Sequence, residues 1–199
     1  MSLAYLIPTI RASRAHAYAR APMNSMYPKK SNAKETLSNG ASHPAAAATR
    51  GRRIQVRRSG IHGKGVFALA PIAEGERIME YTGKIITWKE AQKRHPHDPG
   101  DPNHTFYFHI DDKRVIDGKD GGNSAKWINH ACGPNCEADE DDEAGRVFIK
   151  ALRDIAPGEE LNYDYGLILE GRHTAKVKKE FECRCGTPEC RGTMLAPRR

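Results

Sequence analysis

Asn129-His130-Ala131-Cys132-Gly133-Pro134-Asn135-Cys136 and Gly158-Glu159-Glu160-Leu161-Asn162-Tyr163-Asp164-Tyr165 are the two stretches whose reading decides the fold. They put an Asn-His pair, a cysteine and two tyrosines within about forty residues, and a Cys-x-Cys-x4-Cys cluster follows at Cys183, Cys185 and Cys190. Three cysteines crowded into so short a span suit metal thiolates better than disulfides, and a structural zinc wants four ligands in a tetrahedron. The chain has 5 cysteines in all. An odd number argues against a fully paired disulfide framework and fits a reducing compartment.

Upstream of these motifs, the texture from Ile54 onward is short β-type runs broken by Gly and Pro. Ile54-Gln55-Val56 leads into the glycine turn Ser59-Gly60-Ile61-His62-Gly63-Lys64-Gly65, and Val66-Phe67-Ala68 follows as a strand. Ile78 to Gly83 and Lys84-Ile85-Ile86 read as strands, Trp88 to Arg94 as one short helix before Pro96, and His95 to Asn103 as a polar loop. Thr105 to Ile110, Arg114 to Asp117 and Arg146 to Leu152 read as further strands. Many short strands and almost no helix predict a mostly β domain of small sheets; no internal repeat is visible. The five acids from Asp139 to Glu143 read as a solvated hairpin loop, or as a field that draws cationic substrates.

The net charge of +7 is unevenly distributed. Residues 1–53 hold nine Lys/Arg against one acid, Glu35, whereas the remainder holds 23 Lys/Arg against 24 Asp/Glu. A nucleic-acid role would therefore rest on the tail alone and be weak. Residues 1–52, rich in Ala, Ser, Arg and Pro, read as a disordered basic tail. Met1 to about Arg20, which lacks acids, also fits an organelle transit peptide. No apolar run approaches the roughly 18 residues of a membrane span, so a soluble protein with no membrane partner is expected. At 199 residues there is room for one ordinary domain plus extensions. Gly63-Lys64-Gly65 is not a Rossmann fingerprint, since no third glycine opens a helix, so any nucleotide-like cofactor must be bound another way.

Taken in order, the Gly63/Gly65 turn, Tyr81-Thr82-Gly83, Asn129-His130 and Gly158 to Tyr165, with the cysteine cluster behind them, resemble a SET-domain protein lysine methyltransferase over residues 54–195. The resemblance implies small twisted sheets around a pseudoknot, where the Asn129 segment meets Leu161 to Tyr165. It divides the chain into the 1–52 tail, a SET domain over 53–169 and a zinc-binding post-SET segment over 170–199. S-adenosylmethionine is implied as cofactor, held around His62, Gly63, Lys64 and Gly65, by the Asn129 side chain at its amino group and by the His130 backbone at its adenine. Met194 and Leu195 would pack on the adenine, and Tyr165 would line the same site. Zn2+ is implied at Cys183, Cys185 and Cys190, with Cys132 as fourth ligand; Cys136 is left over and expected to be buried.

By the same resemblance, Tyr165 is the catalytic orienting hydroxyl, Tyr81 a channel residue and Tyr163 the Phe/Tyr position that limits product, a tyrosine there implying mainly mono-methylation. The chemistry suits such residues. Lysine must arrive neutral, and its reference pKa is about 10.4. A narrow aromatic channel disfavours the ammonium by desolvation, and the sulfonium adds repulsion. Several residues depart from the family pattern. Ala131 replaces a common serine and Asn162 a common threonine. Phe106 stands where a tyrosine hydroxyl often helps hold the cofactor carboxylate, and Tyr107 either substitutes for it or faces away. No cysteine precedes Arg53, so no multi-zinc pre-SET cluster is expected. The substrate implied is a protein presenting one lysine in an extended segment along Phe106 to Ile110, with histone tails the family's commonest target. The location is cytoplasmic or nuclear, including delivery to a host nucleus. Oligomeric state is not readable. The competing readings are a non-catalytic lysine-binding adaptor on the same fold and a basic-tailed nucleic-acid binder.

Overall fold

The computed structural model describes residues 52–95, 105–141, 144–169 and 172–197. The tail expected over 1–52 lies outside the described residues except for Arg52, as does the His95 to Asn103 loop beyond His95.

The β runs form where the sequence predicts them. β1 (Ile54–Arg58) and β2 (Lys64–Ala68) make a hairpin with Val56 opposite Val66. Its turn closes through the Ser59 N–H donating to the Gly63 carbonyl at 3.0 Å. Gly63 sits at φ +46, in the left-handed region that a side chain disfavours. β3 (Arg77–Glu80) and β4 (Lys84–Thr87) follow, and then α1 (Trp88–Arg94). Helix α1 is short but well capped: the Thr87 hydroxyl accepts from the Glu90 N–H, Glu90 lies in the first turn and Lys93 and Arg94 in the last. β5 (Tyr107–His109) and β6 (Arg114–Asp117) join β4 in a three-stranded antiparallel sheet of order β4-β6-β5.

A 3-10 turn (Ser124–Trp127) leads into the two-residue β7 (Asn129–His130). β8 (Cys136–Asp141), β9 (Arg146–Ala151) and β10 (Glu160–Tyr163) complete the larger sheet, ordered β1-β2-β10-β8-β9-β3 with β7 beside β10. β10, the last strand, lies inside the sheet. It runs antiparallel to β2 with Leu161 opposite Val66, and parallel to β7 with Asn162 opposite Asn129 and Tyr163 opposite His130. This pairing is the expected meeting of the two motif segments. It is held by two reciprocal amides: the Asn135 N–H donates to Asn162 Oδ1 at 3.1 Å, and the Asn162 N–H donates to Asn135 Oδ1 at 2.9 Å. Asn162, the departure from threonine, thus satisfies backbone that would otherwise be buried without a partner.

The core gathers Val66, Ile72, Phe108, Ile128, Ile149 and Leu161, all at most 1% exposed. Burying each such side chain contributes about 1.5–3 kcal/mol. Cys136 is fully buried, as expected.

Two readings are corrected. Asp139, Glu140 and Asp141 are not loop residues but the end of β8, opposite Phe148, Val147 and Arg146. Cys136 and Ala138 are buried, Asp139 and Asp141 take the opposite face, and Glu140 shares the inner face only at the strand's half-buried end, so an acidic run is compatible with pairing; Asp142 and Glu143 lie outside the described residues. A second helix, α2 (Ala175–Glu180), was not expected. None of its residues is fully buried and only Val177 packs on the core, too little for an apolar period to read; Thr174 caps it through the Val177 N–H.

Candidate active site and metal centre

The three expected pore tyrosines converge. The Tyr163 and Tyr165 ring centroids are 5.1 Å apart, and Phe108 of β5 bridges to Tyr81 at 5.2 Å and to Tyr163 at 6.5 Å. Tyr81 and Tyr163 are at most 2% exposed. The Tyr165 hydroxyl donates to the Ile128 carbonyl at 2.8 Å, and the Tyr81 hydroxyl donates to the Phe106 carbonyl at 2.9 Å. Each has thus spent its proton on backbone, which leaves its oxygen lone pairs as acceptors. Burial raises the phenol pKa of all three, and their mutual proximity adds to it at Tyr81 and Tyr163. These hydroxyls are therefore protonated throughout the range in which proteins work, in surroundings hostile to charge.

Beside this cluster lies the glycine turn. Asn129 Nδ2 lies 3.2 Å from the His62 carbonyl, 2.9 Å from the Lys64 carbonyl and 2.8 Å from Glu160 Oε1. Two main-chain carbonyls and a carboxylate oxygen thus converge on one amide, an acceptor-rich arrangement suited to a cation. Glu160 is itself anchored by the Ser59 hydroxyl at 2.7 Å. Gly65 makes the approach possible, since a Cβ there would stand 2.2 Å from Glu160 Oε1.

On the other side, Phe106 meets Trp127 edge-on at 5.2 Å. Lys64 Nζ stands 4.7 Å from the Trp127 ring centre, and Lys126 Nζ stands 5.4 Å from it. Two ammonium groups over an aromatic floor make a place for an anion. Tyr107 faces away: its hydroxyl points to the Ala91 carbonyl at 3.4 Å, and it belongs to a separate cluster with Ile86, Ala91 and Val115. Met194 is half-buried against the main core. Leu195 is 1% exposed and bridges Leu167, so of the two tail residues Met194 is the one with surface to offer.

His130 is buried, its ring 5.3 Å from that of Tyr165. Nδ1 accepts the Tyr165 N–H at 3.1 Å, so the proton resides on Nε2, which faces Cys132 Sγ at 3.4 Å. Burial pushes the imidazole down to about 4 against the pull of the Asp164 carboxylate. The 3.5 Å approach of Nδ1 to Asp164 is therefore not a salt bridge.

Cys132, Cys183, Cys185 and Cys190 place their sulfurs within 4.8 Å of one another, with 3.6 Å between Cys132 and Cys183. A zinc–sulfur bond of about 2.3 Å demands a tetrahedron edge near 3.8 Å. The donor set fits one metal ion. Burial raises the Cys132 and Cys183 thiols, whereas at Cys185 hydrogen bonds from the Cys132 backbone and Thr187 outweigh burial and bring the thiol to about 6. A cation is what would let all four ionise together.

The SET-domain profile matches residues 63–166, just over half of the chain and the span that carries the tyrosines, the glycine turn and Asn129. The chain belongs to the SET-domain family. It is 37% identical over 147 residues to histone-lysine N-methyltransferase ATX2 of Arabidopsis thaliana, covering 72% of this chain and 13% of that protein. It is 38% identical over 134 residues to histone-lysine N-methyltransferase ash1 of Drosophila melanogaster, covering 66% of this chain and 6% of that protein. It is 37% identical over 152 residues to an H3 lysine-4 specific histone-lysine N-methyltransferase of Candida albicans, covering 75% and 14%. The chain thus spans a small fraction of the length of these curated relatives.

Several residues that organise this SET domain were not singled out in the sequence. Glu160, Ser59 and Asn135 act through partners 25 to 101 residues away, and no local spacing reveals such pairings. Asp164, between the two motif tyrosines, and Arg191, beside Cys190, form a two-pronged ion pair at 2.7 and 2.9 Å. Their only sequence signal is opposite charge beside two separate motifs.

Proposed function

We propose that this SET protein is a protein-lysine N-methyltransferase that takes its methyl group from S-adenosylmethionine, works mainly as a mono-methyltransferase and carries one structural zinc. The observation that carries this reading is the convergence of Tyr81, Tyr163 and Tyr165 beside the Asn129 and Gly63–Gly65 cradle. The cofactor supplies a sulfonium-bound, electrophilic methyl group. Its ammonium would suit the carbonyls of His62 and Lys64 with Asn129, its carboxylate Lys64 and Lys126, and its adenine the His130 backbone and Met194. Tyr165 and Tyr81, whose hydroxyls already donate to backbone, would accept the N–H bonds of the incoming amine and so turn its lone pair toward the methyl. The low-polarity surroundings that raise the phenols would also depress a lysine brought among them.

Loss of a proton from lysine then governs the pH profile. With the tyrosines held above their ordinary value of 10.0, kcat/KM for a lysine peptide should rise steadily with pH toward the lysine pKa of about 10.4. A descending limb below pH 10.0 in protein that stays folded would contradict this assignment of the tyrosines.

β5 carries Phe108 into the tyrosine cluster and is an end strand of its sheet, which favours an extended peptide lying beside it. Residues 54–171 hold 21 Asp/Glu against 15 Lys/Arg, a field that favours lysine-rich partners such as a histone tail. A histone substrate would call for a nuclear location, own or host, and another lysine-rich protein for the cytoplasm; the cysteines, none in a disulfide, are in keeping with a reducing compartment. We also read residues 53–169 as the SET body, 170–199 as the metal-bound closing segment and 1–52 as a basic tail. Among the described residues no helix is long and apolar enough to cross a membrane.

Tyr163 tests the product reading. Tyr163→Phe removes one buried hydroxyl and frees the space it occupies. It should raise the dimethyl and trimethyl fractions on a peptide while leaving the first transfer within about threefold. Mass spectrometry showing mainly trimethyl-lysine from the unaltered protein would overturn mono-methylation. The absence of any methylated lysine with a folded, cofactor-binding protein would overturn the enzymatic reading in favour of a lysine-binding adaptor.

A further inference from the structure

The metal cluster and the transfer pore are joined by a closed set of short contacts. Cys132 Sγ faces His130 Nε2 at 3.4 Å, and His130 Nδ1 accepts the Tyr165 N–H at 3.1 Å. Next to Tyr165, Asp164 takes the Arg191 guanidinium on both oxygens, at 2.7 and 2.9 Å, and accepts the Gly166 N–H at 3.1 Å. The Arg191 N–H then returns to Cys132 Sγ at 3.4 Å. The backbone on both sides of Tyr165 is therefore tied to the sulfur of one metal-site cysteine, once through an imidazole and once through an ion pair.

Two features suggest that this circuit does more than hold the C-terminal segment down. Arg191 Nε is buried with no hydrogen-bond partner, so the guanidinium is kept in place by the Asp164 fork despite a cost elsewhere. The elements joined are also the ones where small shifts matter. Tyr165 Oη is held only by backbone, the Ile128 carbonyl at 2.8 Å and the His130 main chain, so the position of its hydroxyl follows the backbone around it. Displacing a reacting group by about 1 Å costs on the order of a hundredfold in rate.

We propose that Asp164, Arg191 and His130 are positioning residues for Tyr165, forming a circuit through which the occupied cysteine cluster sets the geometry of the methyl-transfer pore. The proposal rests on the function argued above and assigns the closing segment a role in turnover as well as in covering the cofactor. None of the three touches the reacting atoms. They act by restricting where the Tyr165 backbone can sit, so their loss should affect turnover more than binding of either substrate.

Arg191→Lys separates this from a purely structural role, because it keeps the positive charge and the backbone N–H to Cys132 but removes the planar fork. Asp164→Asn keeps the shape and removes the charge. Each full-length variant is expected to retain one zinc per chain. Hydrogen exchange at the Tyr165 amide should quicken by on the order of tenfold or more, while Ile149, in β9 between β8 and β3, keeps its protection. The kcat should fall by about tenfold with peptide KM and cofactor affinity changed less than about threefold, and the double variant should be no worse than the poorer single, since both cut one circuit. Wild-type exchange at Tyr165 would overturn the proposal. So would a loss of protection that spreads to Ile149 along with loss of zinc, which would mean a structural role only. The exchange arm needs no catalysis, so a protein that transfers no methyl group would refute the enzymatic reading while the circuit is still decided.

Discussion

Tyr165→Phe is expected to lower the rate of methyl transfer on the order of 10²–10³-fold, about 3–4 kcal/mol, while zinc content and cofactor affinity change little. The substitution removes one oxygen and nothing else. The phenyl ring keeps its contacts with Tyr163 at 5.1 Å and with His130 at 5.3 Å, and the backbone keeps its bond to His130 Nδ1. What is lost is the acceptor capacity left on the oxygen after its contacts with the Ile128 carbonyl and the His130 main chain. Without it an amine in the pore has fewer ways to be held with its lone pair along the transfer axis, and the Ile128 carbonyl loses its donor. Single-turnover kinetics with saturating cofactor and peptide would measure the effect on the chemical step. A rate within about threefold of the unaltered protein would remove Tyr165 from its assigned role.

Removal of the metal is expected to have the second large effect. Structural zinc contributes an apparent 10–16 kcal/mol in small zinc peptides, and an ion held by the four cysteines would support the closing segment in the same way. Chelation, or Cys132→Ser, should abolish stoichiometric zinc, expose the segment beyond Gly166 to proteolysis and bring transfer below detection. Cys132 is the informative ligand because it lies in the Asn129–Cys136 stretch while the other three lie 51 to 58 residues further on, so its sulfur ties the tail to the pore. Cys136 provides the control. It is equally close in sequence but fully buried in β8 and outside the cluster, so Cys136→Ala should cost about 1–2 kcal/mol of stability and leave zinc bound. If Cys136→Ala released the metal, or Cys132→Ser retained it, the ligand set would be wrong.

Much of this fold could be read from alternation and breakers. Arg114–Asp117 and Trp88–Arg94 have the bounds that the sequence predicts, because a charged or Thr cap and a Gly or Pro stop fall at their ends. Other elements resisted for physical reasons. β8 carries acids at Glu137, Asp139 and Asp141 on its outward face and at Glu140 at the end of its inward one, and pairing with β9 outweighs their poor strand preference. Helix α2 turns a single half-buried apolar side chain, Val177, to the core, too little to form a periodic face. The placement of β10 beside β7 and β2 joins segments 33 to about 100 residues apart, and only the family resemblance made it visible.

The site divides in the same way. Tyr81, Tyr163, Tyr165, Asn129 and the four cysteines stand in motifs with fixed order, and the structure gathers them into two adjoining groups. Glu160 against Asn129, and Asp164 against Arg191, are visible only once the chain has folded, since each pair links separate motifs. Tyr107 illustrates the limit of reading neighbours. One residue along a strand reverses the face, so it points to Ala91 while the Phe106 ring lies on Trp127.

The measurement that bears most directly on the central claim is transfer of a labelled methyl group from S-adenosylmethionine to core histones and to a whole-cell lysate, with the modified residue located by mass spectrometry. Label confined to lysine, chiefly as the mono-methyl form and lost in the Tyr165→Phe protein, is the predicted result. Zinc-loaded protein that binds the cofactor and yet labels no lysine in either mixture, or labels it equally well without the Tyr165 hydroxyl, would contradict the account.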